Sequence, residues 1–184
     1  VVNGDVHTIN QEAAGLPTRS NAKTFIYGFL YGAGDEKIGK IINKGAKEGK
    51  SIKNKFLKKL PALKYLKDAV ANAADERGWV KGLDGRAIPV RHSHASLNTL
   101  LQSCGAIICK TWYVFIARAI KEANLDAQIV AFIHDEVQLV VKEGQEDATG
   151  KLIQLCMEEV QRHFKFRCKL DSEYKYGRNW ADTH

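Results

Sequence analysis

The sequence predicts an α+β fold in which a run of helices precedes a mixed half. Before residue 79, helix start signals at Thr18 and Pro61 precede segments with helical apolar spacing. After it, residues 79–91 alternate around Asp84-Gly85, and residues 128–141 form two apolar runs around a polar tripeptide. The first of these patterns is typical of a β-hairpin, and the second indicates two buried strands joined by a turn.

The first predicted helix begins after the N-cap candidate Thr18 and ends near Tyr31, where a Gly-rich stretch starts. The other predicted elements follow in chain order: helices at 35–42, in the lysine-rich segment and from residue 61, a hairpin at 79–91, a helix at 97–123, two strands at 128–141, a helix at 146–164 and a strand at 167–170.

Positive charge is concentrated in one segment of this 184-residue chain, whose formal net charge is +7. Between residues 40 and 67, ten lysines face a single acid, Glu48. The ordinary interpretation of such a segment is a solvated helical face. The alternative is a surface that follows a nucleic-acid backbone.

The four cysteines form no CxxC pair, which indicates reduced core residues of an intracellular protein. The sequence shows no signal peptide and no uninterrupted apolar run of about 18 residues. We therefore expect a cytoplasmic protein with no membrane partner.

A polar stripe is predicted on the first helix. Arg19, Lys23, Tyr27 and Tyr31 are four residues apart, and a step of four moves only about 40° around a helix. Two cations followed by two aromatic rings match the order of groups in a nucleoside triphosphate, in which a charged phosphate tail leads to a sugar and a flat base. Arg and Lys bind phosphate, and Tyr stacks on a sugar or base. An ordinary solvent-exposed helix face is the alternative, although Gly within a helix is costly and suggests a close approach.

Two further polar groups are candidates for chemistry. Asp135 and Glu136 lie at the turn between the apolar runs, where carboxylates can bind a hard divalent cation such as Mg²⁺. His94, Asn98 and Gln102 form a second four-residue stripe that could read minor-groove acceptors. For each group taken alone, a solvent-exposed turn or a satisfied polar helix edge remains the more ordinary interpretation.

Taken together, these elements resemble the C-terminal part of a family A (Pol I-type) DNA polymerase, and most of all the replicative polymerases of T-odd phages. The stripe from Arg19 to Gly32 is similar to motif B, "IHDEV" at 133–137 to motif C, and "LNTLLQSCGA" at 97–106 to the helix between them. The ending "GRNWADTH" also resembles the usual end of that family.

The resemblance implies a partial right-hand polymerase fold, with helical fingers at 1–95 and an antiparallel-sheet palm at 96–184. It implies template-directed DNA synthesis with two Mg²⁺ ions, dNTPs and primer-template DNA. The implied roles are these: catalysis for Asp135, Glu136 and Lys23; metal binding for Asp135 and Glu136; nucleotide binding for His7, Arg19, Lys23 and Tyr27; template or primer binding for Tyr31, Gly32, Asn98, Gln102 and His134.

Only four residues precede Asp5, so the Asp of motif A, the thumb and the exonuclease of such a polymerase are expected to lie outside this sequence. We therefore expect the chain to be inactive alone and to work with an upstream polymerase segment and a processivity factor. We favour the end of a longer polymerase over one chain of a split enzyme.

Two other functions are kept as alternatives. A single-subunit RNA polymerase shares the Arg/Lys/Tyr-Gly helix, but such enzymes usually have Ser where this sequence has Glu136. A non-catalytic DNA-binding remnant would use the lysine-rich segment alone.

Overall fold

The computed structural model describes residues 5–184, and its chain divides into two compact units, Val1–Cys104 and Gly105–His184. The helices and strands in chain order are α1 Val6–Ala14, α2 Arg19–Leu30, α3 Asp35–Lys40, α4 Ala46–Lys59, α5 Pro61–Arg77, β1 Trp79–Lys81, β2 Ala87–Pro89, a 3-10 turn Ser93–Ala95, α6 Ser96–Glu122, β3 Ala127–Ile133, β4 Glu136–Val141, α7 Glu146–Phe164 and α8 Trp180–Thr183. The predicted order of helices and hairpins is confirmed.

The core of the first unit is built by α1, α2 and α4. Phe25, Phe29 and Phe56 are buried and meet at ring-centroid distances of 5.0–5.8 Å, two of the three pairs edge to face. Ala22 and Ile38 complete the same cluster. Because one side of α2 is fixed in this core, its opposite side must face solvent.

The short helix α3 crosses α4 at very close range, which only glycine permits. A Cβ at Gly49 would collide with the backbone carbonyl of Asp35 and lie 2.7 Å from the amide nitrogen of Gly39. Lys53 strengthens the same crossing, since its Nζ donates to the Ala33 carbonyl at 2.5 Å and pairs with Asp35 at 2.9 Å. The loop that follows α2 is thus anchored to α4.

A small cluster closes the end of the first unit. Val70 and Ala74 of α5 pack with Val80 of β1, and Leu100 of α6 joins them. Strands β1 and β2 form the predicted antiparallel hairpin, with Val80 opposite Ile88.

In the second unit, the β3–β4 hairpin packs with α6 and α7. Trp112 is buried, and its indole nitrogen donates to the Ile153 carbonyl at 3.0 Å, which satisfies its one polar atom. The β3–β4 register runs from Ala127 opposite Val141 to Ile133 opposite Glu136, with a bulge between Ile129 and Ala131. The bulge places an extra residue on β3 and increases the local twist.

One prediction about local structure is wrong, and two short helices were not predicted. Residues 167–170 do not form a strand, because the Leu170 amide bonds to the side-chain oxygen of Gln161 at 2.9 Å instead of to a neighbouring strand. The sequence patterns also gave no indication of α1 or α8, which are short and depend on side-chain caps from Asp5 and Asn179.

The expectation of no membrane partner stays a prediction, although one helix passes a test of length and composition. One helical segment of the described chain, Ser93–Glu122, is long and apolar enough to do so. Its polar residues are spaced so that no uninterrupted apolar run exists, yet its average hydropathy is high. A core helix of a globular protein passes the same test, so one such helix is weak evidence for a membrane span.

The close α3–α4 crossing gives a test with a matched control. We expect Gly49→Ala to lower the free energy of unfolding by about 2 kcal/mol or more, because the new methyl group forces the helices apart. Gly105→Ala on α6 meets nothing within 4 Å and should stabilise the chain by up to about 1 kcal/mol through helix propensity. Urea unfolding followed by circular dichroism measures both, and equal effects would contradict the crossing.

Candidate functional site

The predicted stripe lies on the exposed face of α2. Thr18 caps the helix, its side-chain oxygen accepting from the Asn21 amide at 3.1 Å. Arg19, Lys23 and Tyr27 are exposed, with Tyr27 at 50% of its full accessibility, whereas Ala22, Phe25 and Phe29 face the core. The structure thus places these three side chains on one accessible surface of the first unit.

Arg19 already has a partner that the sequence patterns did not indicate. Its Nε donates to Asp5 Oδ2 at 2.5 Å and its Nη2 to Asp5 Oδ1 at 3.1 Å, a two-pronged ion pair. The Arg19 guanidinium holds the pKa of the Asp5 carboxyl well below its usual range. Asp5 also caps α1 by accepting from the His7 amide, so it joins the start of α1 to the start of α2.

His7 and Tyr27 are brought together by this arrangement, with ring centroids 6.4 Å apart and a tilt of 49°. The Nδ1 atom of His7 is buried and has no hydrogen-bond partner among the residues that the structure describes. His7 thus lies beside Tyr27, and its backbone amide bonds to the acid that pairs with Arg19. The nucleotide-binding role of these residues stays a prediction, and the pairing of Asp5 with Arg19 was not predicted.

The end of α2 is open and glycine-rich. Tyr31 and the Gly28 and Gly32 backbones line a cavity of about 520 Å³ together with Gly34 and Lys37. Gly32 has a φ of 77°, which favours glycine. A Cβ there would come within 3.3 Å of the His94 carbonyl oxygen, so the predicted close approach of a backbone is present.

The second polar stripe is interrupted. Asn98 and Gln102 are one turn apart on α6, the former half-buried and the latter exposed. His94 lies outside α6, in the preceding 3-10 turn, where it stacks on His92 at 5.4 Å. The expectation of one continuous helical stripe is wrong for His94 and right in geometry for Asn98 and Gln102.

The carboxylate turn has the predicted position between two strands. His134 and Asp135 connect β3 to β4, and His134 takes a left-handed conformation with a φ of 55°. Both side chains are exposed, whereas Glu136 begins β4 and is half-buried. The hairpin therefore presents Asp135 at its tip.

The C-terminal segment reaches this turn. His184 Nε2 lies 3.2 Å from a Glu136 oxygen, and the His184 ring stacks on Trp180 with centroids 4.3 Å apart and planes 8° apart. Gln138 donates to the other Glu136 oxygen. Hydrogen bonds from Gln138 first, and from His184 second, lower the pKa of the Glu136 carboxyl.

Asp135 and Glu136 supply the hard oxygen atoms that Mg²⁺ prefers. Both Glu136 oxygens already have partners, which leaves Asp135 as the accessible carboxylate. Within residues 5–184, no group of three His, Cys, Asp or Glu side chains is arranged to hold a metal. The donor chemistry fits one side of a divalent-cation site, and further ligands would have to be added to complete it.

The contact between His184 and Glu136 can be tested by titration. We expect His184→Ala to raise the pKa of Glu136 part of the way to its ordinary value, because one of its hydrogen bonds is lost. Since the folded-state pKa is lowered, this interaction stabilises the fold above the unfolded-state pKa, and its contribution is lost as the pH falls through the folded-state pKa. Carboxyl-carbon NMR measures the shift, with the other glutamates as internal controls; an unmoved Glu136 would contradict the contact.

The whole chain is similar in sequence to known proteins. The chain is 46% identical over 205 residues to the DNA-directed DNA polymerase of Enterobacteria phage T3 and 46% identical over 211 residues to that of Escherichia phage T7. Each comparison covers 100% of this chain and 29% of the phage polymerase, so the chain spans less than a third of these relatives.

The fold has a solved counterpart in the POL domain of Pol1 from M. smegmatis, in complex with DNA primer-template and dNTP. The TM-score is 0.77 at 22% sequence identity, over 85% of this chain and 31% of that one. This confirms the partial polymerase fold. The model of the family described as DNA polymerase family A matches residues 2–182. The chain therefore belongs to DNA polymerase family A.

Proposed function

We propose that the chain is the C-terminal fingers and palm portion of an enzyme for template-directed DNA synthesis in replication. The observation that carries this proposal is the exposed α2 face, which presents Arg19, Lys23 and Tyr27, with His7 beside Tyr27, in a family A chain. The first unit supplies the nucleotide-binding face, and the second supplies Asp135 at the tip of the β3–β4 hairpin. The dNTPs and primer-template DNA bound to the related POL domain support the same substrates here.

On the α2 face, the order of the side chains suits a triphosphate. Lys23 has no carboxylate partner among the described ion pairs, so its ammonium is available to a phosphate and can give a proton to the departing pyrophosphate. Arg19 adds donors at the start of the helix by exchanging Asp5 for phosphate oxygens, and His7, which lies beside Tyr27, can add a further donor. Tyr27 offers its exposed ring to the sugar and base.

Tyr31, Gly32, Asn98 and Gln102 would contact the template and the newly formed base pair. Tyr31 is exposed beside the glycine-rich cavity, where a flat ring can hold a place that a template base later occupies. Asn98 and Gln102 each carry a donor and an acceptor, which suits the minor-groove edge that all base pairs share. The glycine-rich end of α2 would allow the fingers to close over a bound nucleotide.

In the second unit, Asp135 would hold Mg²⁺ with carboxylates from an upstream segment, in cis or in trans. When bound, a pair of such ions stabilises the attacking and leaving oxygens of phosphoryl transfer. Glu136 would support the metal site from its fixed position next to Asp135. His134 would lie near the primer end. We place the enzyme in the cytoplasm, with a processivity factor as a further partner.

The two alternative functions, a single-subunit RNA polymerase and a non-catalytic DNA-binding protein, are less well supported. Membership of DNA polymerase family A removes the basis for a single-subunit RNA polymerase. The non-catalytic DNA-binding alternative is supported by the lysines of α4 alone and leaves the exposed Asp135 without a role.

Primer extension tests the proposed function. We expect no extension by the 184-residue chain alone and extension when it is co-expressed with the polypeptide encoded immediately upstream. Asp135→Asn should reduce the rate at least about 100-fold, because a metal-binding carboxylate supports several kcal/mol of transition-state stabilisation. The matched control is Asp147→Asn on α7, which should retain activity. An inactive mixture that still binds DNA would favour the non-catalytic alternative.

The hydroxyl of Tyr27 gives a second test in the same mixture. It can supply a hydrogen bond that a dideoxynucleotide loses with its 3′-OH, so discrimination against dideoxynucleotides should be weak. We expect Tyr27→Phe to discriminate roughly 10-fold more strongly, as the loss of one such bond implies. Competition between dTTP and its dideoxy analogue measures the ratio, and a ratio equal to that of the parent would contradict the role.

A further inference from the structure

We propose that the exposed lysines of α4 and of the first turn of α5, together with Tyr65, form a binding surface for single-stranded DNA. This lysine surface comprises Lys47, Lys50, Lys55, Lys58, Lys59 and Lys64. The lysines would contact phosphates and Tyr65 would stack on a base. The proposal rests on the proposed function only in taking the strand to be the template beyond the nucleotide site.

The helix α4 has a sharply divided surface. Gly49, Ile52 and Phe56 are buried and fix one side of the helix in the core. At 100° per residue, Lys47 and Lys58 point almost directly away from that side, and they are about 17 Å apart along the axis. A row of this length can contact several successive phosphates of one strand.

Few carboxylates neutralise this surface. Among the ion pairs described for residues 5–184, three of the ten lysines between 40 and 67 have acidic partners: Lys40 with Glu36, Lys53 with Asp35, and Lys67 with Asp68. The six members of the lysine surface are absent from those pairs, and Glu48 is the one acid on α4. The surface therefore keeps a concentrated positive charge that favours a polyanion.

The exposed ring of Tyr65 favours single-stranded DNA over other polyanions. Tyr65 is 77% exposed. Its neighbours in sequence are Lys64 and Leu66, and Leu66 is 38% exposed. An aromatic ring left in solvent among lysines provides a stacking platform for unpaired bases. The base faces of a duplex are already stacked, and an acidic peptide would need the charges alone, so single-stranded DNA accounts for both features.

Binding is measured by fluorescence anisotropy of labelled oligo(dT) of about 12 nucleotides, a length within the usual site sizes, without primer, dNTP or Mg²⁺. The charge variant combines Lys47→Glu, Lys50→Glu and Lys58→Glu. The control combines Lys121→Glu, Lys142→Glu and Lys151→Glu, which are exposed and change the net charge equally. We expect the first variant to reduce the slope of log K against log salt by about 2, since each lost phosphate contact removes about 0.7. If the two variants changed this slope equally, the proposed binding surface would be wrong.

Stacking is tested separately. We expect Tyr65→Leu to weaken oligo(dT) binding roughly 5- to 100-fold, whereas Tyr176→Leu, which alters a tyrosine that is 61% exposed beside Lys175, should leave it unchanged. Circular dichroism confirms that each variant folds. Equal competition by duplex DNA or by an acidic peptide would overturn the proposal.

The two proposals can fail independently. Asp135→Asn should bind oligo(dT) like the parent while it fails in primer extension. An inactive mixture with intact, Tyr65-dependent oligo(dT) binding would count against the proposed function and leave the lysine surface standing.

Discussion

The packing of Phe25 and Phe29 of α2 against Phe56 of α4 is the contact on which the first unit depends. These rings fix the rotation of α2 about its axis, and a rotation by half a turn would bury Lys23 and expose the rings. They fix α4 in the same way, with Lys47 and Lys58 on the side opposite Phe56. One apolar contact thus orients both positively charged surfaces, and the Arg19–Asp5 and Lys53–Asp35 ion pairs add to this support.

The second unit uses a different constraint at its turn. A two-residue connection between β3 and β4 has few backbone solutions, and His134 adopts a left-handed conformation to complete it. The next side chain, Asp135, is therefore held at the hairpin tip by backbone geometry rather than by packing. Glu136, one residue further, is held by Gln138 and by His184 at the far end of the chain. The two adjacent acids are therefore held by different means, one exposed at the hairpin tip and one hydrogen-bonded beside it.

Local patterns predicted most of this correctly, and the side-chain contacts that they missed have one physical cause. The amphipathic helices, the two hairpins and the exposed face of α2 follow from periodicity, because burial of apolar residues decides them. The Asp5–Arg19 pair, the His184–Glu136 contact and the Gln161 side chain that replaces a strand partner at Leu170 were not predicted. Each of these joins polar groups between 9 and 48 residues apart, and no short-range pattern specifies such pairs. The roles assigned to the site residues came from family resemblance, and they remain predictions.

The outer face of the β3–β4 hairpin, which carries Asp135 at its tip, is apolar and exposed. Ile129, Val137 and Leu139 pack into the α6–α7 core, whereas Val130 and Val140 are 57% and 63% exposed. Among the described residues, β3 and β4 form a sheet of two strands, so both outer edges are unpaired. Apolar side chains and open strand edges are costly in water. The hairpin that presents Asp135 therefore keeps, within residues 5–184, an exposed apolar face and two open strand edges, so its position depends on the packing of its other face against α6 and α7.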